Sequence, residues 1–134
     1  MSLRIAERDI EGISIVDLKG RLVAGDEAAT LREFVQTKVP AGPVNAVLNL
    51  RDIEFIDSTG LGAMVIAYTT AKKSGGALKL LHLNRRDVEL LVLTKLDTIF
   101  ETFDDEQDSV NSFFPDREVR RFDILSFVQS HSKD

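Results

Sequence analysis

The segment that most constrains the fold of this 134-residue chain runs from residue 45 to residue 83. It begins with NAVLNL, a short apolar run bounded by polar residues, which is typical of a strand buried on both faces. A turn at Asp57-Ser58 leads into apolar residues at helical spacing, and Ser74-Gly75-Gly76 closes that stretch. The run ALKLLHL predicts a second strand. This order predicts two parallel strands joined by a crossover helix.

The segments on either side continue the alternation of strands and helices. Two alternating apolar runs separated by Glu11-Gly12 predict an N-terminal hairpin. A helix is predicted over EAATLREFVQTKV, with Asp26 as its N-cap. After ALKLLHL come a predicted short helix, NRRDVELLVLTKL, a strand, TIFETF, and a last helix, DEQDSVNSFF, which Asp104 or Asp105 would begin.

These patterns predict an α/β domain over residues 1–114, with a mixed, mostly parallel β-sheet, an N-terminal β-hairpin and about four α-helices packed against the sheet. Residues 115–134 form a C-terminal extension with a charged stretch and then a short apolar group. We expect this extension either to pack on its own domain or to dock on, or exchange with, a second chain. A homodimer is therefore one expectation.

Composition excludes several classes of function. The net charge of −5 and pI near 5.1 disfavour direct nucleic-acid binding, which needs clustered Lys and Arg. The absence of cysteine excludes disulfides and thiolate sites, and His82 and His131 lie too far apart in sequence to suggest a zinc site. We therefore expect no metal and no cofactor. Without a signal-peptide pattern or a long apolar run, no membrane span is expected and the protein should be cytoplasmic.

Ser58 carries the most specific functional signal. It falls where a helix is predicted to begin, so its hydroxyl is expected to cap the free N–H groups of the first turn. A phosphate on Ser58 would instead lie at the positive end of the helix dipole. Gly60 and Gly62 lower helix propensity there, which would either let a partner approach Ser58 closely or permit close packing of helix and sheet. The sequence leaves both explanations open.

An enzymatic role is not expected. Asp57 adjoins Ser58, but no histidine or lysine stands beside it to activate a serine nucleophile. The stretch DSTGLG also lacks the length and the Lys-Ser/Thr ending of a nucleotide-binding phosphate loop. We predict that the protein is not an enzyme and has no catalytic residues.

The segment from Asn45 to Leu83 resembles the core of the STAS domain of bacterial anti-sigma factor antagonists. The resemblance continues more loosely from the N-terminus to about Phe114 and implies a STAS-like fold. It also implies that a partner anti-sigma factor, a serine kinase of the GHKL type, phosphorylates Ser58 and that a phosphatase restores it. The unphosphorylated form would bind the kinase and release its sigma factor. The residues implied to contact the partner are Asp26, Asp57, Ser58, Thr59, Gly60, Leu61 and Gly62.

One position departs from the pattern of that family. Many relatives carry an acidic residue after the strand end that corresponds to Gly20-Arg21-Leu22, whereas Val23 stands here. Asp26, the nearest acid, either supplies that carboxylate or serves only as a helix cap. Thr59 is a second phosphate acceptor, less favoured than Ser58. The pair Arg85-Arg86 is either a solvated face or a contact for an acidic partner.

Two alternatives to the phosphorylated switch remain open from the sequence. The first is an unphosphorylated STAS scaffold in a signalling or transport complex. The second is a nucleotide- or anion-sensing module that uses the helix beginning at Ser58.

Overall fold

The computed structural model describes residues 3–131, apart from the side chains of residues 125 and 129–131. Five strands form one sheet: β1 (Leu3–Ile10), β2 (Ile13–Leu22), β3 (Asn45–Ile56), β4 (Ala77–Leu81) and β5 (Thr102–Phe103). The described helices are α1 (Asp26–Lys38), α2 (Ser58–Lys73), α3 (Arg85–Leu93), α4 (Glu106–Asn111) and α5 (Ile124–His131). Single 3₁₀ turns lie at Val39–Ala41 and Leu96–Thr98.

The strands lie side by side in the order in which they occur in the chain. β1 and β2 form an antiparallel hairpin through Glu11 and Gly12, both with positive φ, and all later pairs are parallel. A tight turn suffices for the antiparallel pair, whereas each parallel pair needs a crossover, which the helices provide. The α/β fold with a mixed sheet, predicted from the sequence, is confirmed.

The two faces of the sheet are covered differently. On one face, α1, α2 and α3 bury the larger apolar core, which includes Leu31, Met64 and Leu91. On the other face, α4 covers a smaller cluster: Ile13, Ile15, Val47, Leu81, Phe103 and Val110. β3 contributes Leu48 to the first cluster and Val47 to the second, because successive side chains point to opposite faces. This two-sided burial explains why NAVLNL is apolar throughout.

Two details of the sequence prediction are corrected, and one open choice is resolved. The strand predicted at TIFETF is shorter, because only Thr102 and Phe103 are paired in the sheet. Asp26 is not the N-cap of α1: Gly25 takes that position with φ +103°, a conformation that a residue with a side chain rarely adopts. Asp26 is the first helical residue. Of the two candidates for α4, Asp105 is the cap, and its carboxylate accepts a hydrogen bond of 2.9 Å from the Asp108 N–H.

The described part of the C-terminal extension contacts its own chain. Arg117 pairs with Glu11 in the β1–β2 turn at 2.7 Å. The Phe122 N–H donates to the Thr102 carbonyl at 2.9 Å, so the extension runs beside β5. Ile124 is buried and α5 packs near α3. Residues 132–134 of the predicted extension lie outside the described residues, and so do Met1 and Ser2.

Candidate functional site

Asp57 links the end of β3 to the start of α2. Its backbone is extended, and its Oδ1 accepts a hydrogen bond of 2.7 Å from the Gly60 N–H in the first helical turn. Its Oδ2 accepts a second hydrogen bond, of 3.0 Å, from the Ala24 N–H in the loop after β2. The expectation that the Ser58 hydroxyl caps this helix is wrong, because the preceding carboxylate already occupies the cap position. Ser58 is the first helical residue instead.

The Ser58 side chain is exposed at the surface. Among the described residues, no protein group forms a hydrogen bond with its hydroxyl, because Asp57 already accepts from the first-turn amides. Thr59, the neighbouring acceptor candidate, is also exposed. Both hydroxyls are therefore accessible to a modifying enzyme.

Gly60 and Gly62, which the sequence could not tell apart, have different surroundings. A Cβ atom built on Gly60 would lie 2.0 Å from the carbonyl oxygen of Leu22, so this glycine lets α2 approach β2. A Cβ atom on Gly62 would meet nothing within 4 Å. Gly60 and Leu61 are buried, whereas Gly62 is partly exposed. Close packing of α2 on β2 thus explains Gly60. Gly62, in contrast, leaves the surface beside Ser58 without a side chain that could obstruct a partner.

Asp26 and the loop after β2 lie at the same edge of the sheet as Ser58. The parallel strands β2 and β3 end together, with Leu22 opposite Ile56, and the Asp57 N–H donates to the Leu22 carbonyl at 3.2 Å. Val23 opens the loop, and Asp26 is exposed at the first position of α1. The sheet therefore places the starts of α1 and α2 side by side.

A cavity of about 430 Å³ separates the start of α2 from α3. It is lined by Phe55, Ile56, Asp57, Ser58, Arg86, Asp87, Glu89, Leu90 and Leu93. Leu93 is 81% exposed, so its apolar side chain faces solvent at this site. The Arg86 guanidinium lies 4.4 Å from the centre of the Phe55 ring. Sequence reasoning named Arg86 but missed Phe55, Leu90 and Leu93, because core packing is the default expectation for apolar residues.

The carboxyl group of Asp57 makes stability depend on pH. Hydrogen bonds from the backbone N–H groups of Gly60, Ala24 and Thr59, in that order of effect, hold its pKa below the usual range, with a smaller effect from Arg21. Because the folded-state pKa is below the unfolded value of about 3.9, the stabilisation is present above that value and is lost as pH falls through the folded pKa. We expect Asp57→Ala to flatten this acid limb of the stability curve.

Thermal unfolding of wild type and Asp57→Ala between neutral and strongly acidic pH measures this effect as the difference between the two curves. Asp26→Ala is the matched control, since Asp26 opens a neighbouring helix and is not its N-cap. Equal acid limbs for wild type and Asp57→Ala would contradict the assignment of the cap.

Comparisons with known proteins identify the family of this chain. The family model of the STAS domain matches residues 4–109. Over 76 residues, 55% of this chain, the chain is 42% identical to the anti-sigma-B factor antagonist of Bacillus subtilis (strain 168) and covers 67% of it. It is 26% identical over 106 residues to the anti-sigma F factor antagonist of Paenibacillus polymyxa, covering 79% of this chain and 91% of the relative.

Solved structures of the same fold include two anti-sigma antagonists. That of an anti-sigma factor antagonist from Mycobacterium paratuberculosis has a TM-score of 0.70 at 23% identity, covering 84% of this chain and 94% of that one. The phosphorylated form of the Bacillus cell fate determinant SpoIIAA has a TM-score of 0.63 at 16% identity, covering 81% and 98%. At these identities the likeness establishes the fold alone.

A sheet covered by three helices on one face, with an accessible serine where α2 begins, defines a small α/β domain. This chain belongs to the STAS-domain family, and its curated relatives are anti-sigma factor antagonists, which are regulatory proteins rather than enzymes. Within residues 3–131, no helix has the length and apolar character needed to cross a membrane.

Proposed function

We propose that this protein is an anti-sigma factor antagonist that acts by partner switching at Ser58. The carrying observation is the Ser58 hydroxyl, which is exposed at the first position of α2 while Asp57 caps the helix. Unmodified, the protein binds an anti-sigma factor that is also a serine kinase of the GHKL type, and so frees the sigma factor. The curated relatives named as antagonists support this role. The cytoplasm, where sigma factors act, is the proposed location.

Phosphorylation supplies the switch. The Ser58 oxygen attacks the γ-phosphorus of the kinase's nucleoside triphosphate. The bond from that phosphorus to the β–γ bridging oxygen breaks, and the nucleoside diphosphate leaves. The hydroxyl proton passes to solvent or to a base of the kinase. The product adds about 1.5 to 2 negative charges beside Asp57. The helix dipole, which is positive at this end of α2, tolerates this anion on the free protein. A partner surface that is acidic or apolar repels it, so the phosphorylated protein is released. Hydrolysis by a phosphatase restores the hydroxyl.

We propose Ser58, and not Thr59, as the phosphate acceptor, and the exposed residues around it as the surface that contacts the partner. The proposed contact surface consists of the exposed or partly exposed residues around Ser58: Asp26, Asp57, Thr59 and Gly62. Gly60 and Leu61 are buried and would act through the position of α2. We also propose residues 1–114 as the domain that carries the switch.

Phosphate transfer in vitro tests the function. The purified protein is incubated with each GHKL-type serine kinase of its own cells and Mg-ATP, and its intact mass is followed. We expect one added phosphate on wild type and Thr59→Ala, and none on Ser58→Ala. Transfer that persists in Ser58→Ala, or no transfer with any such kinase, would overturn the proposal.

A further inference from the structure

Two cationic side chains share the ring of Phe55 beside Ser58. The Arg86 guanidinium carbon lies 4.4 Å from the centre of that ring, and the Arg21 guanidinium carbon lies 5.7 Å from it. Stacking on an aromatic face holds a guanidinium in place while leaving its N–H groups free for other partners. Phe55 is three residues before Ser58, and both line the cavity described above, together with Arg86. Arg86 is therefore a positioned donor that lines the same cavity as the serine.

The carboxylates that line this cavity are each already partnered. Asp57 accepts from Gly60 and Ala24, Asp87 accepts from the Asn84 N–H, and Glu89 lies 3.7 Å from the Arg85 guanidinium. Among residues 3–131, no carboxylate oxygen lies within ion-pair distance of Arg86, whose guanidinium stacks on the Phe55 ring and interacts electrostatically with the neighbouring Asp87 carboxylate. The cavity thus has one guanidinium available to an anion that arrives on Ser58.

The local structure of α3 fixes where Arg86 stands. Asn84 and Asp87 form a reciprocal capping box, in which the Asn84 side chain accepts from the Asp87 N–H at 2.7 Å. Asp87 is buried, so the residue before it is held at the helix surface facing the cavity. A cation in the first turn of a helix is unfavourable for that helix alone, because the dipole is positive there. The helix dipole therefore does not explain an arginine at this position, and a phosphate on Ser58 would find a cation there.

We propose that Arg86 receives the phosphate of phosphorylated Ser58 in cis. The ion pair bridges the start of α2 and the start of α3 across the cavity, a charge-assisted contact of the kind guanidinium and phosphate form. The ion pair occupies Arg86 and narrows the cavity. The apolar side chains of Leu90 and Leu93 are then less accessible to a partner. Arg21, which also lies over the Phe55 ring, adds a second positive charge. This inference rests on the proposed phosphorylation of Ser58 and states which residue would bind the phosphate.

Titration of an installed phosphoserine tests this contact. Full-length protein carrying phosphoserine at position 58, incorporated during synthesis, is prepared as wild type, Arg86→Gln and Arg85→Gln. The ³¹P chemical shift is followed with pH, since the second phosphate pKa is near 6. An adjacent guanidinium favours the dianion, so we expect Arg86→Gln to raise that pKa by roughly half a unit, the effect of an exposed ion pair. Arg85→Gln removes the same charge one residue away and should shift it by less than half as much.

Equal shifts in the two variants, or no shift in Arg86→Gln, would overturn the contact. Arg86 is exposed, so the variant should fold, and its circular dichroism and melting temperature are compared with wild type as a check. The phosphate is installed without any kinase, so this result is independent of the phosphate-transfer experiment. A failure of transfer would overturn the proposed function, and a failure of the titration would overturn the role of Arg86.

Discussion

Gly60→Ala is expected to lower the free energy of unfolding by about 3 kcal/mol. The new methyl group would lie 2.0 Å from the Leu22 carbonyl oxygen and 2.7 Å from its carbon, both backbone atoms of β2 that a side-chain rotation cannot move. Either α2 or the end of β2 must shift. The hydrogen bonds between Asp57 and the Leu22–Ala24 backbone would then be distorted, so the site loses its geometry together with stability.

Gly62→Ala is the matched control for this prediction. It makes the same change two residues further along α2, where the added methyl group meets nothing within 4 Å. Because alanine is favoured over glycine in a helix, Gly62→Ala should stabilise the protein by up to about 1 kcal/mol. Urea denaturation of both variants measures the two values. Equal destabilisation by both changes would contradict the assigned packing of α2 on β2.

Ser58→Asp is expected to weaken binding of the anti-sigma factor by about 100-fold or more, which corresponds to about 2.7 kcal/mol. The substitution places a permanent carboxylate beside Asp57 at the exposed start of α2. In the free protein this charge is tolerated, since acidic residues stabilise a first helical turn. In a complex the carboxylates at positions 57 and 58 must both be desolvated. The substitution therefore weakens binding of the anti-sigma factor and leaves the stability of the fold unchanged.

Isothermal titration against the partner kinase measures this effect, with Ser58→Ala and Thr69→Asp as controls. Ser58→Ala removes the acceptor without adding charge and should bind within a few-fold of wild type. Thr69 is exposed on α2 three turns from Ser58, so Thr69→Asp adds the same charge away from the proposed contact surface and should bind normally. Wild-type affinity for Ser58→Asp, or equal losses for both aspartates, would contradict partner switching at Ser58.

The order of strands and helices could be predicted because it depends on local periodicity. NAVLNL, the α2 segment and ALKLLHL each carry their own hydrophobic pattern, and parallel pairing follows from their alternation. β5 is the exception: TIFETF is apolar enough for a longer strand, but only Thr102 and Phe103 pair with β4. Tertiary pairing, and not propensity, sets its length.

Features of the site that depend on contacts distant in sequence were not predictable. Asp57 and Ser58 are both good N-cap residues, and the choice of Asp57 follows from its second hydrogen bond to Ala24, 33 positions earlier. Gly60 differs from Gly62 only because the Leu22 carbonyl lies beneath it. The stacking of Arg86 on Phe55 likewise joins two segments that the sheet brings together.

Peptide mass spectrometry of the protein recovered from the cells that naturally make it tests the central claim most directly. A strain in which Ser58→Ala replaces the wild-type residue provides the control. The account predicts a single phosphate mapped to Ser58, in a fraction that changes with growth conditions, and no phosphate in the Ser58→Ala strain. A protein that is unmodified at Ser58 under every condition, while it still engages its partners, would contradict the account.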